Sequence, residues 1–209
     1  MLKKIHNFVI IYLILYSILL SVLFDREILG EFYHIMSKEI WDIFNENGVL
    51  TGKTAVRGRS FLKPGEYHLV VHIWVVSPDG KFLIQRRSER KKLMPGEWAA
   101  TGGAAISGES SFTAARRELF EELGIKSNED TLKQIFHLKR RNSFLDVWLI
   151  VANPEIDSLK LQESEVAEAK WVDADELKKM IKLGRFHNYG KEYFQKLFES
   201  TDILEGAVL

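Results

Sequence analysis

A chain of 209 residues is long enough for one substantial hydrophobic core and short for two. Its formal net charge of zero removes any bulk attraction to a nucleic acid polymer, and 46% hydrophobic with 28% charged residues excludes general disorder. There is no cysteine, so disulfides, thiolate metal sites and cysteine nucleophiles are excluded as well.

The chain opens on an apolar run, Phe8 to Phe24, preceded by Lys3 and Lys4. As a helix it would be about 25 Å long, the lower limit for crossing a bilayer. A cleavable signal is disfavoured, because no small-x-small cleavage site follows. Two readings stay open for residues 1–35. One is a membrane anchor; the other is upstream sequence ahead of a start at Met36, where "MSKEIWDIF" begins.

From Met36 onward the pattern is globular. "WDIFNENGVLTGKTAVRG" predicts a hairpin turning at Glu46-Asn47-Gly48. Tyr67–Val76, rich in β-branched and aromatic residues, predicts a buried strand. "SPDG" then turns the chain into an antiparallel partner, Lys81–Arg87. A basic loop leads to a short strand near Trp98, and "TGGAAISGESS" reads as a loop ending at Ser110 or Ser111, either of which can cap a helix.

That helix, 111–123, carries Phe112, Ala115, Leu119 and Leu123 on one stripe and stops at Gly124. Strands follow at Ile135–Lys139 and Phe144–Val151, then a loop holding "LQESEVAEAKWV", then amphipathic helices near 173–183 and 189–199. His68 and His72 fall on one face of their strand, where a core or hydrogen-bonded role is favoured over metal binding. Trp74 and Trp148 read as core. Trp98 stands beside the loop, where it either stacks a base or supports the site. The order of elements is mixed α/β with a βαβ-like core.

The helix at 111–123 poses an electrostatic problem. Glu118, Glu121 and Glu122 crowd its C-terminal end, where the helix dipole disfavours negative charge and the carboxylates repel one another. Three carboxylates on one helical sector, with Glu109 on the preceding loop, make a hard oxygen site for Mg²⁺ or Mn²⁺, and the cation would relieve the repulsion.

From Gly103 the sequence reads "GAAISGESSFTAARRELFEELGI": Gly, five residues, Glu109, seven residues, Arg117-Glu118-Leu119, one residue, Glu121-Glu122, one residue, Gly124-Ile125. This spacing resembles the Nudix box at every fixed position. The resemblance implies an α/β/α sandwich with a mixed sheet, formed by residues 36–209. It also implies metal-dependent hydrolysis of a diphosphate linkage in a nucleoside-diphosphate-X type substrate.

By the same resemblance Glu118, Glu121 and Glu122 are metal ligands, Glu109 an auxiliary ligand or orienting residue, and Arg117 the arginine that positions the carboxylates. Gly103 and Gly124 are structural. Glu165 is the first candidate for the general base and Glu163 the second.

Similarity extends to "GEYHLVVHIWVVSPDGKFLIQRRSERKKLMPGEW", which resembles the isopentenyl-diphosphate-isomerase-like branch of the superfamily. His68, Arg86, Arg87, Lys91 and Trp98 match its pattern, and the basic residues suit a diphosphate. The isomerases of that branch need a cysteine and a histidine after the tryptophan. Here "WAATGGAAISGE" has neither.

Hydrolysis is therefore the expectation. An isomerase and a ligand-binding Nudix module without turnover are the alternatives. A small-molecule partner is expected, with a homodimer as the ordinary prior. Lys3 and Lys4 would send a domain behind the apolar run out of the cytoplasm, away from nucleotide-type substrates. That favours a start at Met36 and a cytoplasmic enzyme, with anchoring through residues 8–24 as the alternative.

Overall fold

The computed structural model describes residues 40–207. The apolar segment 8–24 and the choice between Met1 and Met36 lie outside the described residues. Strands β1 (Ile40–Phe44) and β2 (Leu50–Val56) pair antiparallel as the predicted hairpin. Asn45 closes its turn, with Oδ1 accepting from the amides of Asn47 (2.9 Å) and Val49 (3.1 Å).

The main sheet is built on β3 (His68–Val76), which runs parallel to β8 (Ser143–Val151) over its whole length, His68 opposite Ser143 and Val76 opposite Val151. On the far side of β8 lies β7 (Leu132–Lys139), antiparallel. The other neighbour of β3 is β4 (Phe82–Arg87), but these two pair only at Val75–Leu83 and Val76–Phe82. Beyond that point separate strands cover them. β5 (Trp98–Ala99) pairs with β4, and β6 (Thr101–Ala104) pairs with β3. Residues 98–104 thus cross from one strand to the other.

Strand alternation divides two cores. Val71, Ile73 and Val75 of β3 pack with Ala114, Ala115, Leu119 and Leu123 of helix α1 (Ser111–Leu123). Trp74 and Val76 face the opposite way, toward α2 (Ala174–Lys182) and α3 (Lys191–Ala207), where Leu177, Met180, Tyr193, Phe194 and Leu197 are buried. The result is the expected α/β/α sandwich with a mixed sheet.

Two sequence expectations need correction. "TGGA" is not loop but strand β6, hidden because glycines carry no strand signal. Gly102 must lack a side chain, since a Cβ there would lie 2.2 Å from the Val71 carbonyl oxygen. The segment containing "VAEAKWV" is also a strand, β9 (Val166–Val172), antiparallel to β4. It buries Val166, Ala169 and Val172 at intervals of three, so the two-residue alternation of a strand is absent.

Candidate active site

Helix α1 is held at both ends by its own sequence. Ser110 Oγ accepts from the Thr113 amide at 3.1 Å, and Gly124, at φ 73°, donates its amide to the Phe120 carbonyl at 2.8 Å. Ala115, Leu119 and Leu123 are buried against the sheet, while Phe112 is half-buried against the Trp148 ring. This fixes where the three glutamates of the last turns point, and they do not share one environment.

Glu122 turns inward and is only 3% exposed. Its Oε2 accepts from Gln85 Nε2 at 2.8 Å and from the Gly102 amide at 3.1 Å. It therefore sits where β3 and β4 diverge, joined to both sides of the gap through β4 and β6. Burial, and next the neighbouring Glu118 charge, push its pKa up to about 8 despite those two hydrogen bonds. Glu121 is instead exposed. Glu118 lies against β6, where a Cβ on Gly103 would meet its Oε1 at 2.4 Å.

Arg117 lies among the other carboxylates with every N–H committed. Its Nε donates to Glu109 Oε1 (2.7 Å), Nη1 to Glu118 Oε1 (2.8 Å) and Glu121 Oε2 (3.0 Å), and Nη2 to Glu109 Oε2 (3.0 Å) and the Ala104 carbonyl (3.1 Å). The carboxylates raise its already high pKa, Glu109 foremost. Glu109 also receives the Ile106 amide at 3.0 Å, so both its oxygens are engaged. Part of the compensation for the crowded helix end thus comes from the helix itself. The exception is Glu122, which no cation pairs among the described residues.

Two loops come together at this site. Glu165 forms an ion pair with Lys91, the Ser88 amide donates to the Glu165 carbonyl at 2.8 Å, and the Gln162 amide donates to the Glu122 carbonyl at 3.2 Å. The Glu165 charge is among those that raise the Glu122 pKa. Glu163 is exposed.

Arg86 pairs with Glu168 (3.0 Å) and Glu89 (3.5 Å), and Arg87 Nε donates to the Leu93 carbonyl at 3.2 Å. His68 stands apart, stacked on Trp41 with ring centroids 4.2 Å apart and its Nδ1 shielded without a partner. His72 is a core histidine, its Nδ1 3.0 Å from the Tyr193 hydroxyl. Trp74 and Trp148 are core residues. Lys170 Nζ lies 5.0 Å from the Trp98 ring.

The NUDIX domain family is matched over residues 66–197, which takes in β3, the glutamates of α1 and both loops. The chain belongs to the Nudix hydrolase family. It is 40% identical to a Nudix hydrolase of Listeria monocytogenes over 152 residues, 72% of this chain and 89% of that one. It is 38% identical to an isopentenyl-diphosphate Delta-isomerase of Streptomyces coelicolor, over 85 residues that make up 40% of this chain and 43% of that one. A crystal structure from Deinococcus radiodurans shares the fold, with a TM-score of 0.62, 24% identity, and coverage of 72% of this chain and 93% of that one.

Within the Nudix box, no three His, Asp or Glu side chains among the described residues converge as a finished metal cage. The Arg117 guanidinium stands between Glu109, Glu118 and Glu121 and holds them instead. The donor chemistry nevertheless fits a hard divalent cation: all four groups are carboxylates, and Glu122 is a buried one beside Glu118 with no cation of its own.

Sequence reasoning missed one residue bonded to Glu122 and one that braces the crossing at residues 98–104. Gln85, 1% exposed, accepts from the Thr101 hydroxyl (3.2 Å) while donating to Glu122, and its one signal was a polar residue inside the apolar run "FLIQ". Tyr189 accepts the Ala100 amide at 3.1 Å and packs on His72, with nothing local to mark it. No described helix is long and apolar enough to cross a membrane.

Proposed function

We propose that this Nudix hydrolase cleaves the diphosphate linkage of a nucleoside-diphosphate-X type substrate with the help of Mg²⁺ or Mn²⁺. The observation that supports this best is Glu122, a carboxylate buried at the gap between β3 and β4 beside Glu118 and lacking a cation. Glu118, Glu121 and Glu122 would hold the ion. Glu109, engaged through both oxygens, would hold Arg117 and so orient the others. When bound, the ion polarises phosphoryl oxygens and stabilises the charge of the leaving group.

The chain's own part is positioning and proton transfer. Water attacks phosphorus, the bridging P–O bond breaks, and Glu165 takes the proton from the attacking water. Lys91 pairs with Glu165 and holds it in place, a different task from direct diphosphate binding. Arg86 and Arg87 lie on the neighbouring strand end. The ion pairs of Arg86 with Glu168 and Glu89 are solvated and weak enough to be exchanged for substrate phosphate.

The similarity to the isomerase keeps proton transfer at carbon as a second reading, but the chain has no cysteine to perform it. A panel of diphosphate compounds, assayed with Mg²⁺ or Mn²⁺ and scored for product identity, tests the proposal. Two phosphorylated fragments, or phosphate release, should appear with the wild type and vanish in Glu121→Gln and Glu122→Gln. Full turnover in Glu122→Gln, or solvent hydrogen entering substrate carbon without phosphorus chemistry, would overturn it.

A further inference from the structure

On the outer face of α1 lies a cleft of about 540 Å³, lined by Thr113, Arg116, Arg117, Phe120, Lys126 and Ser127. Its polar groups can be accounted for one by one. The Thr113 hydroxyl donates to the Ser110 carbonyl at 2.9 Å, and all N–H groups of Arg117 are committed to the box carboxylates and Ala104. These two residues form wall.

Arg116 and Lys126 are the remaining cations of the lining, both exposed. Arg116 lies 5.6 Å from the Phe112 ring, and neither it nor Lys126 has a carboxylate partner among the described residues. Ser127 contributes wall as well, because its Oγ is shielded from solvent. No Asp or Glu lines the cleft.

A guanidinium and an ammonium lining one cleft that holds no carboxylate make an oxyanion the complementary ligand. Beside them Phe120, 51% exposed, offers an apolar ring for whatever the oxyanion is attached to. We propose that this cleft binds a phosphoryl oxyanion through Arg116 and Lys126. It is a second site, separate from the carboxylate cluster, with Arg117 as the shared wall. The proposal does not depend on the catalytic reading above.

The test titrates inorganic phosphate, adenosine monophosphate and uncharged adenosine into the isotope-labelled full chain, with metals chelated, while the backbone amides are followed by NMR. Saturable shifts at Phe120, Lys126 and Ser127 are expected with both phosphates and not with adenosine. Phosphate binding as tightly as the nucleotide identifies the free anion as the ligand; tighter nucleotide binding identifies a phosphate monoester seated on Phe120.

Arg116→Ala with Lys126→Ala should weaken binding by about tenfold or more, and both side chains are exposed, so an unchanged melting curve is the folding control. Binding should persist in Glu122→Gln. No saturation with either phosphate, equal affinity in the double variant, or loss in Glu122→Gln would each overturn the proposal.

Discussion

Gln85 donates to Glu122 across 2.8 Å, and the two side chains are among the most deeply buried polar groups in the protein. Gln85→Leu leaves both the Glu122 carboxylate and the Thr101 hydroxyl short of a partner. A loss of about 1–3 kcal/mol is expected from urea unfolding, together with reduced turnover. Glu122→Gln should behave in the opposite way. It abolishes turnover, yet without metal it should be at least as stable as the wild type, because an amide replaces a carboxyl that burial already disfavours in its charged form. A Glu122→Gln variant that melts well below the wild type would contradict this account.

The adjacent glycines Gly102 and Gly103 should fail differently when each is changed to alanine. A Cβ on Gly102 would lie 2.2 Å from the Val71 carbonyl oxygen, a backbone atom in the β3–β6 pairing that cannot yield. Gly102→Ala should therefore lower thermal stability sharply. At Gly103 the nearest atoms belong to the Glu118 carboxylate, at 2.4 Å, and a side-chain end can swing away. Gly103→Ala should fold but bind divalent metal weakly, as isothermal titration calorimetry would show.

Arg117→Lys keeps the charge and loses the fork. One ammonium cannot reproduce the paired contacts to Glu109 together with those to Glu118, Glu121 and Ala104. We expect about 1–3 kcal/mol lower stability and a higher metal requirement for turnover. Equal metal dependence in the variant would mean that the arginine does not orient the carboxylates.

Kinetics distinguish two roles for Lys91. If it holds Glu165, Lys91→Met lowers kcat with little change in KM, Lys91→Arg restores part of the loss, and adding Glu165→Gln costs little more. If it bound substrate diphosphate instead, KM would rise in Lys91→Met while kcat held.

His68 makes a prediction about acid. Its native pKa is lowered from 6.5 to about 4, chiefly by burial, with the Arg57 and Arg140 charges adding to the effect. As pH falls below 6.5 the unfolded chain takes up a proton that the native imidazole refuses. Stability should decline from that point and level off below about pH 4, by up to about 3 kcal/mol. His72, held neutral by burial, acts with the same sign. Urea midpoints measured between those pH values should show a shallower slope in His68→Phe, and an unchanged slope would refute the assignment.

Helix α1, a serine cap at Ser110 or Ser111, its Gly124 stop and the β1–β2 turn were legible because each rests on neighbours within a few residues. β6 and β9 were not. One is strand despite two glycines, and the other lacks the alternation of a half-buried strand, since partners far along the chain decide both. Glu118, Glu121 and Glu122 could be grouped from helical spacing, which is local geometry, while the roles of Glu109 and Arg117 followed from the resemblance to the Nudix box. The separate environments of the glutamates could not be read that way. Glu122 is buried because β3 and β4 part just where the last turn of α1 meets the sheet, and Gln85 and Gly102 arrive there from different strands.

By itself the sequence determined the family, the helix and the set of carboxylates, all written in short-range pattern. Which carboxylate loses its water, which loop lysine meets Glu165 and which cations line the outer cleft were decided only by tertiary structure. Desolvation and charge pairing depend on what surrounds a group in space, and most of those neighbours are distant in the chain.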